Sequence, residues 1–338
     1  MKTRIIATIC ISAAILLLGI AIGSVNVAPG DILRIIANRL FIIDLPEHIL
    51  STRVSIVWYN RLPRTLLAFC AGAALSVSGA VMQSVLRNPL ASSYTLGVSS
   101  GASLGASLVI FLGVTLPFLS ILTLPILGFV FGLGTILLVM AISRQLDPRM
   151  ENHTIILTGM VFALFINAIT TLMFALFREG TQRMLFWQMG SFSIRGWQTV
   201  YILAPVALAG ILFIYMRKRE LDVMTFGEEQ ARSIGVNVSK IKLTLLIVAA
   251  ALTGSTIAFV GVIGFVDLVA PHIVRKIFGP VHRLVIPMSA VVGGAFMVLA
   301  DLAARTVTAP VELPVGAVTA LIGAPFFAYI YFSKRGRA

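Results

Sequence analysis

Charge is what this chain has least of. Only 12% of its 338 residues are Asp, Glu, Lys or Arg, against 58% apolar residues, and the mean hydropathy is +1.00. A soluble domain carries about 25% charged residues, so this chain cannot cover itself with a hydrated surface. A soluble enzyme, a disordered scaffold and a disulfide-stapled secreted domain are all excluded. Cysteine is nearly absent. Cys10 and Cys70 sit in separate apolar runs, too few for a disulfide framework or a metal site, and read as small packing residues. The four histidines (His48, His153, His272 and His282) are dispersed at run ends, a poor arrangement for a metal. No GxxxxGK[ST], HExxH or CxxC occurs. Without a phosphate loop the chain cannot hydrolyse ATP itself.

Long apolar runs fill most of the sequence, at about 5–25, 62–86, 95–113, 118–142, 154–177, 197–216, 243–261, 264–278, 284–304 and 314–332. A spanning helix needs about 20 such residues, so the pattern predicts an all-α membrane protein of about ten spans. The eighth run is short. At about 1.5 Å per residue it covers only ~22 Å, which predicts a broken or re-entrant start at Gly261 to Gly264. The first run follows Met-Lys-Thr-Arg. A cleaved leader is the alternative there, but the run is long for one.

The formal charge is +13. In a soluble protein that excess suggests nucleic acid. Here it lies in short clusters between apolar runs, where Lys and Arg anchor loops at a membrane surface, so no nucleic-acid partner is expected. With a cytoplasmic N-terminus, 17 of the 26 Lys and Arg residues, including all six lysines, fall on the inside. The positive-inside bias therefore predicts that both termini are cytoplasmic.

Two loops stand out. The outer segment 26–60 contains Asp31 to Phe41, read as a short amphipathic helix on the outer membrane surface. The cytoplasmic segment 217–242 is amphipathic, with Gly227 and Gly235 as breaks, and predicts two short helices. Something must cover its Met224, Phe226, Ala231 and Ile234: either a partner or the chain's own bundle. Small residues at Ala71 to Gly79, Gly101/Gly105, Gly128/Gly132 and Gly293-Gly294-Ala295 predict close helix crossings. Pro205, Pro271, Pro287 and Pro325 lie inside apolar runs and predict kinks. Only Asp267 and Asp301 fall within spans. Asp301 lies one turn before Arg305 and can pair with it. Asp267 either serves a cation or bonds backbone N–H groups freed at a helix break. With little material for ion coupling, the driving energy is expected to come from another subunit.

An ordered set of motifs then carries a resemblance. It runs Arg61-Leu-Pro-Arg64, Gly72 to Gln83, Arg87-Asn-Pro-Leu-Ala91, Leu96 to Gly101, Trp187 to Ser191, Gly227 to Arg232, Ile263-Gly-Phe, Ala270 to Arg275, Leu299 to Arg305 and Glu312 to Phe327. From about residue 55 to the C-terminus the chain resembles the FecCD family, membrane subunits of type II ABC importers for iron–siderophores, haem and cobalamin. Where that family commonly has Gly, this chain has Asp267.

The resemblance implies a single transmembrane permease domain over 1–338 in the cell (plasma or inner) membrane. It implies a second permease subunit, identical or paralogous, a cytoplasmic ABC ATPase dimer, and an external substrate-binding protein. The cargo would be a metal chelate, foremost a ferric siderophore, with haem or cobalamin as the alternative. An ion-coupled carrier is the reading from a different class. This chain would bind no cofactor and no resident metal and hold no catalytic residue, ATP and Mg belonging to the partner ATPase.

By position, Arg61, Arg64 and Arg305 match arginines that accept acidic residues of the binding protein. Leu221, Met224, Phe226, Gly227, Glu228, Ala231, Arg232, Ile234 and Gly235 match the helices that seat in the ATPase. Asn88 and Leu90 match a constriction at the cytoplasmic mouth, with Asn152, His153 and Thr154 in the neighbouring part of that gate. Asn88 could instead cap the third span. The fifth span flanks the path by resemblance. Its Met160, Asn167, Thr170 and Phe174 share one helical face, which either lines the path or bonds neighbouring helices.

Overall fold

The structure, a computed structural model, describes residues 1–335 apart from 24, 26, 47, 48, 194, 195 and 234. The described residues form helices and connecting turns, with no strand among them. In chain order the helices are α1 (Lys2–Ala21), α2 (Pro29–Phe41), α3 (Ser51–Ser55), α4 (Leu62–Val85), α5 (Val98–Leu112), α6 (Thr123–Leu146), α7 (Asn152–Leu176), α8 (Thr181–Met189), α9 (Gly196–Met216), α10 (Lys218–Phe226), α11 (Glu228–Ser233), α12 (Val238–Val260), α13 (Val266–Phe278), α14 (His282–Thr306) and α15 (Val315–Arg335). A π-helical stretch, Ile56–Arg61, joins α3 to α4, so one helix runs unbroken over Ser51–Val85. Seven of these stretches are long and apolar enough to cross a membrane: α1, α3 to α4, α6, α7, α9, α12 and α14. Helix α5 and the apolar part of α15, Val315–Phe326, are shorter, and α13 has only 13 residues.

Two boundaries and one helix differ from the sequence reading. The second span was expected to open at 62, but its helix starts at Ser51, because the polar Ser-Thr-Arg beginning masks a helical continuation. The cytoplasmic loop was expected to run to 242, but α12 begins at Val238, capped by Asn237, whose Oδ1 accepts the Lys240 N–H at 3.1 Å. The short helix α8 was not foreseen. Its nine residues give too little periodicity to register, although Met184 and Trp187 are buried beneath it.

Helix α4 is the axis of the bundle. Twenty of its 24 residues are buried, and it packs against α14, α12, α9 and α13. The approach to α14 depends on absent side chains. A Cβ at Gly72 would sit on the carbonyl oxygen of Gly293, and one at Gly293 would stand 2.6 Å from the carbonyl oxygen of Gly72. Lipid supplies no hydrophobic drive between helices, so contact at backbone distance is what binds them. Further along α4, Gly79 lies against the carbonyl oxygen of Asp267, which also accepts from Gln83 Nε2 at 3.0 Å. This fixes the start of α13 against the C-terminal third of α4. Helix α12 ends at Val260, residues 261–264 are not helical, and Phe265 turns left-handed (φ 68°) before α13 begins.

Candidate coupling face and transport path

The segment between α9 and α12 holds α10 and α11, joined at Gly227 with φ 136°, a conformation open to glycine and strained for other residues. Leu221, Met224 and Ala231 are fully covered, packed with Val81, Val85, Leu245 and Ile286 of the bundle. Their cover is thus the chain's own core, which corrects their reading as contacts offered to a partner. Phe226 is the contrary case, 77% exposed. Glu228 is half-buried, with Arg232 one turn on at 3.5 Å. Gly235 closes the pair of helices with φ 86°. Ile234 lies outside the described residues.

Two polar clusters tie this pair of helices to the membrane helices. Asp222 of α10 accepts the His282 backbone N–H at 2.8 Å and meets its Nδ1 at 2.7 Å, at the first turn of α14. The other ring nitrogen of His282 lies 2.7 Å from Ser84 Oγ on α4, which also accepts from Arg275 of α13 at 3.2 Å. Glu228 of α11 accepts from Lys242 Nζ at 2.6 Å. The sequence reading passed over Asp222, Lys242 and His282. Charge counting had placed Lys242 in the loop, and only its helical register at the foot of α12 turns it inward.

The expected gate residues gather beside α11. A cavity of about 1140 Å³ is lined by Asn88, Asn152 and His153 on one side and by Phe226, Gly227, Glu228 and Arg232 on the other. Asn88 caps no helix, because α5 begins only after Gly97. Its Oδ1 accepts the Leu90 N–H at 2.9 Å, closing the turn after α4 and leaving Leu90 45% exposed. Asp147 braces the turn that carries the lining residues Arg149 and Glu151. Its carboxylate accepts the backbone N–H groups of Arg149 (2.9 Å) and Glu151 (2.7 Å) just before α7. The Glu151 N–H in particular holds that carboxyl below its ordinary pKa. His153 is open to solvent, 3.3 Å from Glu151. Thr154 reaches Asp147 at 3.5 Å and does not line the cavity.

The face proposed along α7 divides. Met160 and Asn167 are exposed, whereas Thr170 is buried with its hydroxyl on the Ile166 carbonyl, and Phe174 packs edge-on to Phe111 at 5.3 Å. Thr170 and Phe174 therefore belong to the bundle and do not line an open path. One helical face reads as continuous only until α5 closes over its outer half.

Asp267 is buried beside a second cavity of about 560 Å³, between the 261–265 break, the first turn of α13, Tyr94, the end of α8 and the start of α15. Its Oδ2 accepts from Ser93 Oγ at 3.2 Å, while Oδ1 is buried without a hydrogen-bond partner among the described residues.

At the end of the bundle where α4 begins and α14 stops, the three arginines are engaged internally. Arg61 is 5% exposed and donates to the carbonyls of Ile20 (3.1 Å), Ala21 (2.9 Å) and Val25. Arg64 bridges Asp301 (2.8 Å) and Glu312 (2.7 Å), and Arg305 donates to the Gly19 carbonyl and lies 3.5 Å from Asp301. The three arginines expected to receive acidic residues of a binding protein are thus each engaged by acceptors of the chain itself. The Arg64 hydrogen bond also holds the Glu312 carboxyl below its ordinary pKa.

The family model of the FecCD transport family matches residues 10–333. The chain belongs to that family. It is 39% identical over 289 residues to the cobalamin import system permease protein BtuC of Halobacterium salinarum, covering 85% of this chain and 76% of that one. It is 36% identical over 305 residues to the Fe(3+)-citrate import system permease protein YfmD of Bacillus subtilis, covering 89% of each. A solved structure described as an inward-facing metal-chelate type ABC transporter superposes with a TM-score of 0.85 at 27% identity, over 98% of this chain and 100% of that one. The chain is thus a multi-pass membrane protein of a family of ABC permease subunits, which lack ATPase sites.

Proposed function

We propose that this chain is the membrane subunit of an ATP-driven, binding-protein-dependent importer for a metal chelate, a ferric siderophore foremost. The observation that carries this reading is the cytoplasmic cavity, where the gate turn at Asn88, the start of α7 and α11 meet. A subunit that couples work done below the membrane to a passage through it needs these parts in contact. Phe226 and the outer face of α10 and α11 seat on a cytoplasmic ATPase dimer, and two permease subunits enclose the path. Ten crossings with both termini cytoplasmic fit the lysine and arginine bias, with α5, α13 and α15 as the shorter members. The membrane is the cell (inner or plasma) membrane. An external binding protein docks on the outer face. Arg61, Arg64 and Arg305 serve docking by holding the outer ends of α1, α4 and α14 and the 307–314 turn in place.

The test is uptake by proteoliposomes holding the permease with its ATPase and binding protein. Radiolabelled ferric siderophore, haem and cobalamin would be offered in parallel. ATP-dependent entry of the siderophore supports the full reading. Entry of haem or cobalamin instead changes the cargo and keeps the importer. Uptake driven by an ion gradient without ATP would replace the importer with a secondary carrier.

A further inference from the structure

The cytoplasmic helix pair is held at two points of different character, and the second has no role assigned above. Lys242, the fifth residue of α12, is 1% exposed. An ammonium has three protons to donate. Here each finds an acceptor, two at the start of α7 and one on α11: the Met150 carbonyl just before α7 at 2.8 Å, Asn152 Oδ1 at the first residue of α7 at 2.8 Å, and Glu228 Oε1 at the first residue of α11 at 2.6 Å. Among the described residues, no other side chain of α11 bonds a membrane helix.

We propose that Lys242 is a positioning residue that carries displacement of α11 to the start of α7 and so to the cytoplasmic gate. The inference rests on the importer reading above. Three observations make the link directional. First, α10 is fixed to the bundle through Asp222 and His282, on to Ser84 and Arg275, so it is the stationary member. Second, the joint between α10 and α11 is Gly227 at φ 136°, a place where the chain can turn. Third, the cavity of about 1140 Å³ separates α11 from the Asn88 turn, which leaves room for α11 to move on that side. A buried ammonium parted from its carboxylate leaves an uncompensated charge. When the ATPase shifts α11, the lower-energy course is for Glu228, Lys242 and Asn152 to move together.

The experiment uses the assembled transporter in proteoliposomes, with uptake and ATP hydrolysis measured on the same sample. A spin label at position 153, an exposed site, reports the distance between the two subunits with and without nucleotide. Lys242→Gln should lower uptake per ATP hydrolysed by about tenfold, within the ordinary range of coupling between sites, and the position-153 distance should stop responding to nucleotide. Glu228→Gln, which leaves the lysine on Met150 and Asn152, should do the same and carries the test if Lys242→Gln fails to assemble. Lys242→Arg, which keeps a charged donor facing all three acceptors, should retain part of the ratio. Uptake per ATP within about twofold of wild type in both single variants, with a normal label response, would overturn the proposal. So would equal losses of uptake and hydrolysis with no retention in Lys242→Arg, which is the pattern of a merely structural contact. Absence of ATP-driven uptake in the wild-type complex would overturn the importer reading and this inference with it.

Discussion

Arg64→Ala should cost this protein far more than the loss of a surface arginine. The guanidinium of Arg64 makes a fork on Asp301, with Nε at 3.0 and 3.1 Å and Nη2 at 2.8 Å, and a second fork on Glu312 at 2.7 and 3.1 Å. The side chains of Arg64 and Asp301 are 10% and 2% exposed, and that of Glu312 is 41% exposed. The Glu312 half lies at a wet rim and contributes at most about 1 kcal/mol. The Asp301 half is different. Without Arg64 a buried carboxylate keeps only Arg305 at 3.5 Å, and stranding a buried charge costs about 3–5 kcal/mol. At about 2 °C per kcal/mol for a chain of this size, the thermal midpoint should fall by ~6–10 °C in detergent. Because heating such a protein is commonly irreversible, wild type and variant are compared at one scan rate. Replacing both partners, Arg64→Met with Asp301→Asn, removes the buried carboxylate charge along with Arg64 and leaves an amide oxygen facing Arg305, so it should recover part of the loss. A shift below about 2 °C for the single variant, or a double variant as unstable as the single, would refute the buried-pair argument. An unshifted midpoint combined with lost binding-protein association would show instead that Arg64 acts by direct docking.

Glu312 supplies a pH signature. Its folded pKa lies below the ordinary 4.5, chiefly through the Arg64 hydrogen bond, so its stabilisation is present above that value and is lost as pH falls through the folded one. The midpoint gap between wild type and Glu312→Gln, followed by thermal scans against pH, should close on acidification; a gap that widens would contradict the clamp. Gly72→Ala drives a Cβ onto the Gly293 carbonyl and should cost about 1–3 kcal/mol by overpacking, read by the same scans, and an unchanged midpoint would mean that the helices part freely. On the cytoplasmic face, Phe226→Ala should weaken co-purification of the ATPase while shifting stability by no more than about 0.5 kcal/mol. Leu221→Glu, at a fully buried position, should abolish folded protein on size-exclusion chromatography. Full ATPase retention by the Phe226 variant would move the docking face elsewhere.

The membrane class, the small-residue crossings and the broken start of the eighth run were legible in the sequence because each is a local property. Lipid as solvent forces about 20 apolar residues per crossing. Close helix contact requires Gly and Ala at turn spacing, as at Gly72, Gly79 and Gly293. A helix of 13 residues cannot cross a membrane without a break. The family too was readable, from the ordered motifs. What the sequence could not decide was partner choice among side chains far apart in the chain. Arg61, Arg64 and Arg305 have the same composition whether they face solvent or face Ala21, Asp301 and Gly19. Only the meeting of α1, α4 and α14 gives them internal acceptors. The apolar residues of α10 and α11 needed cover, and the tertiary structure divided them, with Leu221, Met224 and Ala231 inward and Phe226 outward. Lys242 looked like one more cytoplasmic cation. Burial at the foot of α12, within 2.6–2.8 Å of three acceptors at the starts of α7 and α11, is what makes it a link, because a charge acquires that role only when folding takes its water away.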